Sequence, residues 1–467
     1  MGFHGILSKG CDLCRKRKVR CDQRRPLCLR CERLRIACPG YRDLNDLTFR
    51  DESTRIIGNA KRLRCKATVT DRAASSLSQL PSSEPDCTIA ELDLGAKVCF
   101  EMFIGDDRFL GQDNRTLLLR RYENSPRDMP LRAVIEAVGL AAISNTSHGP
   151  DLHVAANRQY RRAMESVRNA AQSFPSAITD DLLMTAILLW LYQSVTGRPY
   201  DPILLAATSK LLLARGPDQF EQRYSVSLYL QARRQILATC MEHFLPIPAD
   251  VVLATCWFED SAIRKSMEQK EIASRGSIAE ISFRLVNLRA AVRSLEVSDS
   301  HLIMKAALDI ENDLRIWEQG SPAAWRYSSM HDVNKTDDRQ FDHTCHLYPS
   351  VWIAEAWNNW RVMRIIANQL LWDHIGINDD ERDDKRDAFK SVVEQMSRDI
   401  CRSVHSFGDS PSKLCLIGQL FACTLSPIMV DHEIRSFAIK QLRAIGKEKG
   451  VRQASYLADA ASGCLEA

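Results

Sequence analysis

The side chains best suited to chemistry lie close together near the start of the chain: Cys11, Cys14, Cys21, Cys28, Cys31 and Cys38. Their spacing is C-x2-C-x6-C-x6-C-x2-C-x6-C, and moving the first three along by seventeen residues gives the last three. Each half pairs a C-x2-C metal knuckle with a third cysteine two helical turns further on. Six thiolates exceed the four sulfurs of one tetrahedral zinc. Two zincs need eight ligand positions, so six cysteines suffice only when two of them bridge. The spacing therefore predicts a binuclear cluster with two Zn2+ per chain. A disulfide knot expects a secreted chain with a leader, and the opening MGFHGILSKG has neither a long apolar core nor a small-residue cleavage site. A metallothionein-like buffer would not need the Arg and Lys between the cysteines. A Cys2His2 finger is excluded because His4, the nearest histidine, lies outside the spacing.

The run CDLCRKRKVRCDQRRPLCLRCERLRIAC resembles the fungal Zn2Cys6 binuclear-cluster DNA-binding domain. Arg15, the basic residues to Arg20, Asp22 and Pro26 all share in the likeness. The resemblance implies that the first and fourth cysteines, Cys11 and Cys28, bridge the metals. The two halves differ chemically. Five of the six residues after Cys14 are basic, whereas the matching segment after Cys31 carries Leu34 and Ile36, which can pack on a partner helix. The first of two short helices is thus expected to face double-stranded DNA and the second to support it. By resemblance, Arg17 and Lys18 read bases in the major groove of CGG-type sites, where Lys or Arg donates to guanine. Arg15, Lys16 and Arg20 are placed for phosphates, which set register without reading sequence. A nuclear, sequence-specific transcription factor for RNA polymerase II genes is implied, with a metabolic or secondary-metabolite gene cluster as target.

Charge agrees with a polyanionic partner. The whole chain carries only +4, but residues 1–42 hold twelve Lys or Arg against three Asp or Glu, and the remainder is therefore −5. Two zincs and six thiolates together add −2, which leaves the first module near +7, a compact footprint for nucleic acid. The other ten cysteines are scattered singly, as at Cys240, Cys256, Cys415 and Cys423, and read as small core hydrophobes in a reducing compartment. No membrane span is expected. Leu182 to Tyr192 is too short, and Leu414 to Val430 contains Gln419 and Pro427.

Behind the cluster module (residues 8–42), Phe49, Ile56 and Leu63 fall at heptad spacing within residues 43–66, a linker helix that could form a short dimerising coil. Lys61, Arg62 and Arg64 follow as a basic end. Residues 67–87 are Ser-rich and read as a flexible linker. Residues 88–467 read as an all-α domain. Leu131, Val134, Ile135 and Val138 mark one buried helix face. Thr179 caps a helix whose Leu182–Leu191 segment is apolar nearly all round and should be central. Ile353, Ala356, Trp357, Trp360, Met363 and Ala367 make another stripe, and no two-residue alternation predicts a sheet. AVGLAAISN at 137–145, DDLLMTAILLWLYQSVTG at 180–197 and LLLARGPDQF at 211–220 resemble the fungal-specific regulatory domain. So do WEQGSPAAWRY at 317–327, YPSVWIAEAWNNWRVMRI at 348–365 and RAIGKEKGVRQA at 443–454. Contacts with the transcription machinery or a small-molecule effector would belong to this domain.

Other candidate groups have blander readings. Asp342, His343, Cys345 and His346 are expected in a polar loop between helices. Asp379, Asp380, Glu381, Asp383 and Asp384, interleaved with Arg and Lys, are expected in a solvated loop. Trp317, Trp325, Trp352, Trp357 and Trp360 are expected in the core. No nucleophile elbow, H-E-x-x-H helix or phosphate-binding glycine loop is present, so no enzyme is predicted. Two further readings remain beside the transcription factor: a metabolite receptor whose helical domain gates DNA binding, and a redox or metal sensor in which the cluster is the switch.

Overall fold

The computed structural model describes residues 14, 21, 22, 28, 31, 88–105, 114–147, 150–173, 179–331, 338–376, 382–428 and 431–463. The chain divides into two units, Met1–Ser82 and Ser83–Ala467, and the division falls within the Ser-rich stretch expected to be a linker. The seam of Phe49, Ile56 and Leu63 lies outside the described residues.

Several helices of the second unit begin where a side chain takes up the orphan N–H groups of a first turn. Thr88 and Glu91 form a reciprocal capping box. Thr179, Asp299 and Asp431 accept from the first turns behind them, and Asp201 does so with Pro202 at the first helical position. Among the described residues these signals help delimit sixteen α-helices. The first six are α1 (Ile89–Met102), α2 (Asn114–Asn124), α3 (Pro130–Ser147), α4 (Pro150–Ser173), α5 (Asp180–Thr196) and α6 (Pro202–Ala214). Next come α7 (Arg223–His243), α8 (Ala249–Asp260), α9 (Ala262–Gln269), α10 (Ile278–Arg293) and α11 (Ser300–Gln319). The last are α12 (Val351–His374), α13 (Arg382–Ser403), α14 (Leu416–Leu425), α15 (His432–Lys449) and α16 (Arg452–Gly463).

The centre of the first half is α3 with α5. The α5 helix is buried over most of its length, as its uniform apolarity requires, and ends at Gly197 in the left-handed region (φ 64°). The α3 helix was expected to bury one face, yet it is covered nearly all round because α1, α4 and α5 all pack on it. Its two charged residues are retained as a pair. Arg132 Nε donates to Glu136 Oε1 at 3.1 Å, and the Tyr122 hydroxyl donates to the same oxygen at 3.3 Å. The α1 and α3 backbones meet at Gly95 and Gly139. A methyl group on Gly95 would come within 2.8 Å of the Glu136 carbonyl oxygen, and one on Gly139 would strike the Gly95 carbonyl.

The second half is organised on α12, whose expected stripe is buried at Ile353, Trp357, Trp360, Met363 and Ala367, with Ala356 half-buried. The tryptophans meet edge to face: Trp317 with Trp357 at 5.9 Å, Trp325 with Trp352 at 5.2 Å, Trp357 with Trp360 at 5.3 Å. Four indole N–H groups are satisfied, by Ser274, Glu271, Trp325 and Leu314. This cluster is core, which is what aromatic rings with buried polar tips require.

Four expectations need correction. A two-stranded antiparallel hairpin is present, β1 (Ser328–His331) with β2 (Thr344–Leu347), pairing Met330 with Cys345. It escaped the pattern because β2 buries three successive residues between β1 and α13 and so shows no alternation. Cys345 and His346 therefore sit in a buried strand rather than a polar loop, and only Asp342 and His343 form the turn, both at positive φ. The acidic stretch is not wholly a loop: Asp383 and Asp384 occupy the first turn of α13, where the helix dipole favours them, and residues 379–381 lie outside the described residues. Among the single cysteines, Cys99, Cys240, Cys401 and Cys423 are buried, but Cys256 is exposed on α8. Among the described residues no helix is long and apolar enough to cross a membrane.

Candidate metal centre

Of the six expected ligands, Cys14, Cys21, Cys28 and Cys31 are described; Cys11 and Cys38 lie outside the described residues. Cys14 and Cys31, which correspond under the seventeen-residue shift, both stand at helical positions. Cys14, Cys28 and Cys31 are buried and their sulfurs lie within 4.8 Å of one another. The Cys14 and Cys28 sulfurs are 3.8 Å apart. Two thiolates on one tetrahedral zinc, each about 2.3 Å from the metal, stand about 3.8 Å apart, whereas a disulfide would hold them at about 2 Å. The donor set and its spacing therefore fit zinc.

Cys28 is where the halves meet. It belongs to the group with Cys14 and Cys31, and also to a second group with Cys21 and Asp22, again within 4.8 Å. It thus lies beside Cys14, Cys21 and Asp22 of the first repeat and Cys31 of the second. The backbone N–H of Cys31 donates to the Cys28 sulfur at 3.4 Å, which stabilises negative charge there. Asp22 is exposed at the edge and offers an oxygen rather than a sulfur. The zincs would be held by these thiolates and would cross-link the two halves, a role that makes the metal part of the folding free energy. Arg15, Lys16, Arg17, Lys18 and Arg20 lie outside the described residues.

The helical unit contains polar groups that no sequence motif marked. Arg361 on α12 is fully buried; its Nη1 donates to the Tyr348 hydroxyl and to Asn358 Oδ1, both at 2.7 Å, while its Cζ sits 5.1 Å from the Tyr327 ring centre. Its Nε and Nη2 have no hydrogen-bond partner among the described residues. His346 lies beside it, and burial, with repulsion from Arg361 and Arg402, pushes the imidazole pKa down to about 3. Asp342 pairs with Arg402 and Arg398, so it does not converge with His346 and Cys345 on a metal position. A polar cleft of about 290 Å3 is lined by Asp338, Arg339, Asp409, Lys413, Lys440, Gln441, Ala444 and Glu448. Its lining comes from three separate segments, around Asp338, Asp409 and Lys440, so local spacing carries no sign of it.

The family profile described as the fungal Zn(2)-Cys(6) binuclear cluster domain matches residues 9–46. The chain is also similar to White-opaque regulator 2 of Candida albicans, at 53% identity over 38 residues. That similarity covers 8% of this chain and 8% of the relative. No solved structure matches the chain.

Proposed function

Residues 9–46 are a fungal Zn(2)-Cys(6) binuclear cluster domain, which binds two zinc ions, and from that premise we propose that this chain is a sequence-specific, zinc-dependent DNA-binding regulator of transcription. The observation that carries the reading is the buried thiol group centred on Cys28, in a module of forty-two residues bearing +9 before metal is counted. Zinc fixes the fold of a segment too short to build a core, and the basic residues of the first repeat then supply the DNA contacts. Arg17 and Lys18 read CGG-type sites; Arg15, Lys16 and Arg20 hold phosphates; Cys11, Cys14, Cys21, Cys28, Cys31 and Cys38 hold the metals, with Cys11 and Cys28 shared. The site of action is the nucleus, on RNA polymerase II genes of a metabolic or secondary-metabolite cluster. A redox-sensing cluster is disfavoured because Cys14, Cys28 and Cys31 are buried, and susceptibility to oxidation follows thiolate exposure.

The test is a binding titration of the full chain on a CGG-containing duplex and on a scrambled one, each at several salt concentrations. Arg17→Ala should lose about 1–3 kcal/mol on the CGG duplex alone. Arg20→Ala should weaken both duplexes alike and flatten the salt slope by about one unit. Equal losses on both duplexes from both substitutions would overturn the division between reading and holding.

A further inference from the structure

On α4, His153, Asn157 and Arg161 recur at every fourth residue and so line one face. That face meets the end of α5 and the start of α16. The Tyr192 hydroxyl on α5 donates to Asn157 Oδ1 at 3.0 Å, and Arg198, just beyond α5, donates to the same oxygen. Arg198 is fixed in place: its backbone N–H donates to the Gln193 carbonyl at 3.0 Å, and its guanidinium rests 4.6 Å from the centre of the Tyr160 ring. Arg452 opens α16 beside it, since a methyl group on Gly197 would lie 3.1 Å from the Arg452 Cβ. Burial raises the Tyr192 pKa, and Arg198 and Arg161 are both close enough to oppose that rise.

None of these cations has an anionic partner. Arg198 is held by neutral groups, and among the described residues Arg161, Arg198 and Arg452 form no ion pair. The neighbouring acids do not compensate them. Asp201 accepts from the Ile203 N–H at 2.8 Å as the cap of α6, and Glu165, one turn on from Arg161, forms no ion pair with it. Arg161 is exposed and Arg198 and Arg452 are half-buried, so the charge is open to solutes. His153 lies among them: burial, with repulsion from Arg452 and Arg198, pushes its imidazole pKa down. Its Nδ1 is buried with no hydrogen-bond partner among the described residues, and a buried polar atom calls for one. The cluster is an island of positive charge, because residues 43–467 as a whole carry −5.

We propose that His153, Arg161, Arg198 and Arg452 bind the phosphate group of a small phosphorylated metabolite. A phosphate monoester brings about two charges and three acceptor oxygens, which several guanidinium forks can share. A carboxylate has one charge and two oxygens and fills a single fork. Holding Arg198 in place before the ligand arrives removes part of the ordering cost of binding. Such a site would make the helical unit responsive to a metabolite, a property separate from DNA recognition by the zinc module.

The experiment is calorimetric titration and thermal unfolding of the full zinc-loaded chain with methyl phosphate, against acetate at matched ionic strength. Methyl phosphate should bind saturably, raise the melting temperature, and bind at least on the order of tenfold more tightly than acetate. Arg161→Gln combined with Arg452→Gln should weaken that binding at least on the order of tenfold, with affinity for a CGG-containing duplex unchanged. If the double variant fails to fold, Arg161→Gln alone decides, since that side chain is exposed, and a several-fold loss is expected. The proposal is overturned by the absence of saturable binding, or by acetate binding as tightly as methyl phosphate. Full affinity in the variant would also overturn it, by placing the phosphate on the zinc module. So would a loss of duplex affinity in the variant, which would make this surface a nucleic-acid contact. Duplex affinity of the parent chain, measured on the same samples, separates failure of this site from failure of the proposed regulator.

Discussion

A thiolate that serves two metals cannot be lost without unmaking both sites. Cys28 is the described cysteine common to both ligand groups, so Cys28→Ser in the full chain should bind neither zinc stably, whereas Cys21→Ser should keep one. Zinc content by elemental analysis checks this, and one full equivalent in Cys28→Ser would place the bridge elsewhere. His346 gives a prediction of different sign. Its folded pKa is about 3, below the ordinary histidine value of about 6.5. Between those two values the unfolded chain takes up a proton that the folded chain refuses. Stability is then lost as pH falls through that window, by up to about 1.4 kcal/mol per pH unit from this one group. His346→Asn should flatten the fall in urea midpoint between about pH 6 and 4.5; an unchanged slope would show that the imidazole is protonated in the folded state. The grouping of Cys14, Cys21, Cys28 and Cys31 follows from local spacing, which metal ligands obey. His346, Arg361 and Lys413 were not legible in the sequence, since each is defined by neighbours from distant segments.

Helices declare themselves through caps and periodicity, and their packing through the residues that are missing. The Thr179 side chain accepts from Leu182 N–H at 3.3 Å, and Thr179→Ala should cost about 1 kcal/mol. Gly139→Ala should cost more, about 3 kcal/mol, because the added methyl would strike the backbone of α1 rather than a movable side chain. Denaturant titrations rank the two, and a neutral Gly139→Ala would show that α1 and α3 cross further apart. The cap at Thr179 and the core run behind it were readable in advance. The all-round burial of α3 was not, because covering Arg132 and Glu136 depends on Tyr122 from another helix. The hairpin was missed for a related reason: a strand buried at Thr344, Cys345 and His346 in succession loses the alternation that identifies strands.

At the scale of the molecule, a positive metal module precedes a net-negative helical unit. A fragment of residues 83–467 should be predominantly helical by circular dichroism and should bind no DNA; DNA affinity in that fragment would move the recognition surface away from the cluster. The Ser-rich stretch can be read from composition, whereas the cleft on α15 emerges only once α15 meets the segments around Asp338 and Lys413. In the proposed function, zinc binding and DNA recognition are one event. The measurement that tests it most directly is a zinc titration of the metal-free full chain, with affinity for a CGG-containing duplex read at each step. Affinity should rise until two equivalents of zinc are bound, stay flat thereafter, and vanish on chelation. Saturation at one equivalent, or DNA binding by the metal-free chain, would contradict the cluster and the function drawn from it.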